Sequence, residues 1–254
     1  MEYLWWITAF LFGAVVGSHL NVCIYRLPEN QSIAWPSSRC PLCGAPIAAF
    51  DLVPIISYLI LRGRCRNCGG RISPQYPLVE LLAGTLFLLA AVKYGPGWPA
   101  LRLMLLVSLA IPAAAIDWKH KIIPDKLNFA VMLLAVPLLL ESKAVFIDGA
   151  LGFVAGGGLL LLAAVVSRGG MGGGDIKLAA ALGLLLGWRL LLLTLFIAFA
   201  LGSVIGITMI LIKQRRWKEP IPFGPYLALG AIIAALAGDY LLTWHDLLII
   251  KLPI

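Results

Sequence analysis

Long apolar runs separated by short polar stretches dominate this chain of 254 residues. A helix needs about 20 predominantly apolar residues to cross the hydrocarbon core of a bilayer. Runs of that kind predict spans over residues 4–24, 76–94, 100–116, 127–141, 146–167, 176–188, 190–212 and 222–238. The fourth and sixth are short, and only Gly187-Trp188-Arg189 divides the sixth from the seventh. The predicted fold class is an all-α polytopic membrane protein with about eight transmembrane helices. The first run leads into Asn21, Arg26 and Pro28 rather than a small-residue cleavage site, so it is predicted as a retained helix. Residues 25–75 are the only sizeable polar stretch. The expected organisation is a first transmembrane helix over 1–24, an extramembrane domain over 25–75 and a transmembrane domain over 76–254.

Composition agrees with this pattern: 61% of residues are hydrophobic and 13% charged, too few charges to cover a soluble domain of this length. The net charge of +8 raises nucleic acid or anionic lipid as partners. Its placement points elsewhere. With the amino terminus outside, the inner loops 25–75, 117–126, 168–177 and 213–220 hold 15 of the 20 basic residues. That bias follows the positive-inside rule and accounts for most of the basic excess without nucleic acid.

Four of the five cysteines form two C-x2-C pairs inside 25–75: Cys40 with Cys43, and Cys65 with Cys68. In each pair a glycine (Gly44, Gly69) follows the second cysteine, and an isoleucine (Ile47, Ile72) lies four residues beyond it. A C-x2-C turn lets two sulfurs converge, and the following glycine relieves the tight turn. Two such turns predict a closed structural zinc site in a zinc-ribbon-like domain, which contributes folding energy rather than catalysis. Two disulfides or an iron–sulfur centre use the same four thiolates. The expected inner, reducing side and the two glycines favour zinc. Cys23, at the end of the first apolar run, reads as a buried inert thiol.

Few acidic residues lie at the ends of apolar runs. Asp117 closes the run 109–116, and Asp175 follows Gly172-Gly173-Gly174. A carboxylate at a membrane-embedded helix end is costly unless it is paired, hydrated or functional. Both fall on the expected inner side, so they can meet. Two carboxylates a few ångströms apart share one proton, and one can then activate a water while the other acts as acid toward a carbonyl. Gly172 and Gly174 permit close backbone approach beside Asp175. The plainer reading makes both aspartates interfacial loop residues neutralised by Lys119, Lys121 and Lys177; the residues alone leave the two readings open. Asp125, after Pro124, suits a helix start and is a rival to Asp117.

Several motifs in fixed order resemble the bacterial type IV prepilin leader peptidases, also called prepilin peptidase/N-methyltransferases. They are Gly17-Ser18-His19-Leu20-Asn21-Val22-Cys23-Ile24-Tyr25-Arg26-Leu27-Pro28, the four-cysteine stretch, Tyr76-Pro77-Leu78-Val79-Glu80-Leu81, Ile116-Asp117 with Ile123-Pro124-Asp125, Gly172-Gly173-Gly174-Asp175-Ile176-Lys177-Leu178, and Ile221-Pro222-Phe223-Gly224-Pro225. The match departs at His19, where the family carries an aromatic or apolar residue. The resemblance implies a Gly-x-Gly-Asp intramembrane aspartyl protease with Asp117 and Asp175 as its catalytic pair, and Asp125, Gly172, Gly174 and Lys177 in support. It implies prepilin or pseudopilin substrates with a basic leader, a glycine before the cut and a following apolar helix, cleaved at the inner face of the bacterial cytoplasmic membrane. It further implies methylation of the new amino terminus from S-adenosylmethionine, associated with residues 25–75. Candidate cofactor positions by motif match are Gly63 and Glu80. Both have structural readings: Gly63 as a turn into Cys65, and Glu80 as a partner of Arg62, Arg64 or Arg71. Pro222-Phe223-Gly224-Pro225 either positions an extended substrate or simply starts the last helix.

Three alternatives stay open: a peptidase without methyl transfer, its zinc loop purely structural; an ion-coupled transporter; and a zinc-knuckle scaffold. Intramembrane carboxylates and glycine-broken helices also mark ion pathways. Against transport, the hydropathy has no two-halved symmetry and the acids gather at one face. A scaffold leaves Gly172-Gly173-Gly174-Asp175 without a role.

Overall fold

The computed structural model describes residues 2–212 and 222–250. The basic stretch 213–220, Ile221 of the last motif and Lys251 lie outside the described residues. The elements in order are α1 (Glu2–Arg26), a short 3-10 turn η1 (Ala49–Leu52), α2 (Ile56–Ile60), α3 (Gln75–Tyr94), α4 (Trp98–His120), α5 (Asp125–Leu139), α6 (Lys143–Val166), α7 (Gly173–Leu211) and α8 (Gly224–Ile250). The fold is an all-helical polytopic membrane protein, as the apolar runs predict.

Six of these helices are long and apolar enough to cross a membrane: α1, α3, α4, α6, α7 and α8. One difference from the predicted spans has a local cause, and one predicted boundary recurs as a break inside a helix. α5 has only 15 residues, about 22 Å of helix against a core of about 30 Å. The predicted sixth and seventh spans are two arms of α7, which runs for 39 residues and is broken at Gly187. Gly187 has φ 77° and ψ 170°, a conformation that L side chains rarely adopt, and the Asp148 carboxylate packs directly against it.

The chain divides into two compact units, Met1–Pro112 and Ala113–Ile254, with the division inside α4 at its internal proline. In the first unit α1 packs on α3. Gly13 and Gly17 of α1 lie against the α3 backbone at Ala83, Val79 and Glu80, too close for any side chain. Asn21 of α1 reaches across and donates to the Tyr76 carbonyl at 3.1 Å. In the second unit α7 packs on α5, α6 and α8. Gly149, Gly152 and Gly156 form a small-residue stripe on α6 at helical spacing. It meets the α7 carbonyls of Leu184, Gly183 and Ala179 directly. Helix association in lipid relies on such close packing because there is little hydrophobic gain between apolar surfaces. The stripe fixes the arm of α7 that carries Asp175 in its first turn.

Candidate active site and metal centre

Three helix ends build the acidic site within the second unit. Asp117 lies in the last turn of α4 and is 5% exposed. Asp175 lies in the first turn of α7, where its N–H bonds the Gly172 carbonyl at 3.1 Å. The two carboxyls are close enough for the charge of Asp117 to act on Asp175. The third end is α8: the backbone N–H of Gly224, its first residue, donates to Asp117 Oδ2 at 2.8 Å. A side chain at 224 would meet that oxygen at 2.9 Å and the Asp117 Cβ at 3.1 Å. Asp175 Oδ1 is buried with no hydrogen-bond partner among the described residues. A buried carboxyl oxygen so placed has capacity for a proton or a water. The arrangement is suited to general acid and base work on one water.

The glycines before Asp175 have distinct surroundings. A Cβ at Gly174 would lie 3.0 Å from the Ile123 Cβ and 3.3 Å from its backbone nitrogen, so Gly174 lets the start of α7 meet the α4–α5 loop. A Cβ at Gly172 would lie 3.1 Å from Asp175 Oδ2. Gly173 has open space around it.

Asp125 stands apart from the buried pair in its surroundings. It opens α5, is half exposed, and its Oδ2 takes the Lys177 ammonium at 2.7 Å. The ion pair joins the first turns of α5 and α7. Two features escape the sequence reading. The Gly224 amide on Asp117 has no local signal, although the motif containing it was visible. Asn128, one turn after Asp125, is 1% exposed and neither side-chain amide atom has a partner among the described residues. A lone amide in the apolar run of α5 is the signal that could have singled it out.

The cysteines gather in the first unit. The four sulfurs of Cys40, Cys43, Cys65 and Cys68 lie within 4.8 Å of one another, and Cys40 and Cys68 are 3.9 Å apart. A tetrahedral ion with Zn–S bonds near 2.3 Å needs sulfurs about 3.8 Å apart, so this group fits one. All four thiols are free. The two knuckles repeat one hydrogen-bond pattern. Cys40 N–H bonds the Ala45 carbonyl at 2.9 Å and Cys65 N–H bonds Gly70 at 2.8 Å. Gly44 N–H returns to Cys40 and Gly69 N–H to Cys65, both at 2.9 Å, with φ of 70° and 67° at the glycines. The Cys43 and Leu42 amides pull the Cys40 thiol down to about 7, toward the thiolate that a metal takes. Arg66 of the second knuckle grips Asp51 of η1 through two bonds of 2.8 and 2.7 Å.

Gly63 and Glu80 have structural partners. Gly63, at φ 66°, turns the chain before Cys65, and a side chain there would meet the Tyr58 hydroxyl at 2.9 Å. Glu80 is buried in the second turn of α3. Its Oε2 accepts the Ile55 N–H at 2.7 Å, and the Ser18 hydroxyl also bonds it. The ties fall to Ile55 and Ser18 rather than to Arg62, Arg64 or Arg71. Pro222 and Phe223 precede α8, where the Phe223 carbonyl takes the Tyr226 and Leu227 amides at 3.1 Å and its ring packs on Phe199.

Residues 11–94 match the family described as Bacterial Peptidase A24 N-terminal domain, and residues 104–207 match the Type IV leader peptidase family. A prepilin leader peptidase/N-methyltransferase of Aeromonas salmonicida is 35% identical, covering 96% of this chain and 95% of its own. Proteins of the same name from Bacillus subtilis and Pseudomonas aeruginosa are also 35% identical, covering 93% and 90% of this chain and 96% and 89% of theirs. No solved structure matches the chain.

Proposed function

The chain belongs to the type IV leader peptidase family, and on that premise we propose that it cleaves prepilins or pseudopilins with Asp117 and Asp175 and then methylates the new amino terminus. One observation carries the choice of residues. Asp117 and Asp175 come within electrostatic reach at the ends of two membrane helices, and the Gly224 amide fixes the first. In this reading one aspartate takes a proton from a water as its oxygen attacks the scissile carbonyl carbon. The other gives the shared proton to the carbonyl oxygen. As the C–N bond breaks, the first passes the water's proton to the departing amine and the other recovers its proton from the tetrahedral hydroxyl, which restores the pair. The substrate's apolar helix stays in the bilayer, and the glycine before the cut lets the chain extend at the inner face. The clustering of basic residues in the predicted inner loops supports that sidedness. Asp125, Lys177 and Gly174 hold the helix starts, and the Gly172 backbone bonds the Asp175 carboxyl itself.

Residues 25–75 form the zinc-bearing part in this reading, and 76–254 the peptidase. Cys40, Cys43, Cys65 and Cys68 would hold one structural zinc ion, which supplies folding energy to an otherwise loop-rich segment. S-adenosylmethionine supplies the methyl group when bound. Gly63 and Glu80 are the positions to test for its binding, with Glu80 already holding Ile55 in place. Co-expression with prepilin in a host lacking its own enzyme tests the cleavage. The expected result is a size shift that disappears in Asp117→Asn and Asp175→Ala; retention of the shift in either variant overturns the pair. Incubating purified, zinc-loaded protein with labelled S-adenosylmethionine and a pre-cleaved pilin peptide tests the methyl transfer, and no label in the peptide removes that half.

A further inference from the structure

The stretch between α1 and α3 is polar in its average, yet its middle carries a run of exposed apolar side chains. Phe50, Leu52, Val53, Ile56, Leu59 and Ile60 all face outward, the last two 67% and 71% exposed. On a transmembrane helix such exposure is ordinary. On a connecting segment a contiguous apolar patch marks an interaction surface. The hydrogen bonds of this segment fix its depth. Ile55 sits at φ 64° and ψ −52°, a conformation that is costly for a β-branched residue and needs an anchor. The anchor is Glu80, whose Oε2 takes the Ile55 N–H at 2.7 Å. Glu80 lies five residues into α3 from Gln75, about 7.5 Å along its axis.

Tyr25 at the end of α1 and Tyr76 at the start of α3 mark an interfacial aromatic level, and Arg26 follows Tyr25 directly. Ile55 is therefore bonded to a residue one turn inside that level. Helix α2 starts directly after Ile55, and Leu78, Leu81 and Leu82 are exposed on α3 in the turns around Glu80. Both elements thus present apolar side chains outward, joined at this depth by the Ile55–Glu80 bond. The chain then leaves this level through Arg62 and Arg64, both exposed. Cations placed beside an inserted apolar face match anionic headgroups. Arg66 ties the second knuckle to the same element through Asp51, with its guanidinium 5.1 Å from the Phe50 ring centre.

We infer that residues 49–61 are a re-entrant interfacial anchor whose apolar side chains enter the acyl region of an anionic leaflet while Asp51 stays with Arg66 at the headgroup level, holding the cysteine cluster against the bilayer surface. The partner is lipid, and the inference does not depend on the assignment of the catalytic aspartates.

Proteoliposomes of the full-length, zinc-loaded protein containing phosphatidylglycerol with a photoreactive group in its acyl chain test this directly. After irradiation, mass spectrometry maps the lipid adducts. Labelling of 49–61 is expected to equal that of 78–82 and to exceed that of the knuckle residues 65–69 at least fivefold. Labelling of 49–61 at the knuckle level overturns the anchor. A second arm adds excess prepilin. Unchanged labelling supports lipid as the occupant. Loss of label from 49–61 but not from 78–82 makes the surface a substrate-binding face and overturns the lipid assignment.

Discussion

The backbone N–H of Gly224 donates to Asp117 Oδ2 at 2.8 Å, joining residues 107 positions apart in the chain. A carboxylate in a reacting pair must be held to a fraction of an ångström, and a misplacement of about 1 Å costs on the order of 100-fold in rate. A methyl group at 224 would stand 2.9 Å from that oxygen and force it aside. Gly224→Ala is expected to reduce prepilin cleavage about 100-fold while circular dichroism stays unchanged. Cleavage within twofold of the parent would separate Asp117 from the reaction.

Asp125 and Lys177 give the opposite expectation. Their ion pair is half exposed, and exposed pairs contribute little. Asp125→Asn and Lys177→Met are each expected to lower cleavage less than about fivefold, whereas Asp117→Asn abolishes it. An inactive Asp125→Asn beside an active Asp117→Asn would exchange their roles.

The cysteine cluster predicts one zinc ion per chain, measured by elemental analysis of the purified protein. Replacing Cys43 or Cys68 with serine is expected to remove it, because three thiolates leave a closed structural site incomplete. Residues 38–72 should then lose amide protection, while α6 and α7 keep theirs. Stoichiometric zinc retained in both variants would refute the four-thiolate site.

The tie between the second knuckle and η1 has a defined pH dependence. Hydrogen bonding and charge from Arg66 hold the Asp51 carboxyl below the ordinary carboxylate range. Its contribution is present above the unfolded value, about 3.9, and is lost as pH falls through the lowered folded value. The difference in amide exchange at 49–52 between the parent and Asp51→Asn should stay constant from pH 8 to 5 (roughly the fully ionised range). It should vanish under more acidic conditions. A difference that changes around neutrality would point to another group.

Gly152→Leu tests the packing that fixes the start of α7. No Cβ fits between Gly152 and the Gly183 carbonyl. Overpacking of this kind costs typically 1–3 kcal/mol, to be read as a lower thermal midpoint in detergent, with cleavage reduced in parallel. An unchanged midpoint would show that the two helices separate freely.

The helices and knuckles were legible in the sequence for local reasons. Apolar length announces a span, and the C-x2-C-Gly turn is written within a handful of neighbouring residues. The divergences arise where the deciding contact is distant or the run is ambiguous. The run 127–141 reads as a span, yet its helix ends at Leu139. The boundary read at Gly187-Trp188-Arg189 does fall at Gly187, whose positive φ breaks α7 into two arms. Residues 48–61 are mostly apolar but too short to span, so a reading by span length absorbs them into a polar loop. The Gly224 bond to Asp117 obeys no periodicity at all. Asp125 and Asp117 look alike in sequence because each adjoins a span boundary, and burial and the Lys177 contact are what distinguish their surroundings.

The dependence of Asp117 on the first amide of α8 bears on how the molecule comes to be made. During synthesis, Asp117 and Asp175 are joined to the chain 107 and 49 residues before Gly224. Until then Oδ2 of Asp117 lacks the donor that orients it. The order of synthesis therefore makes the orientation of Asp117 one of the last features of the fold to be completed, set by a helix that comes after both acids.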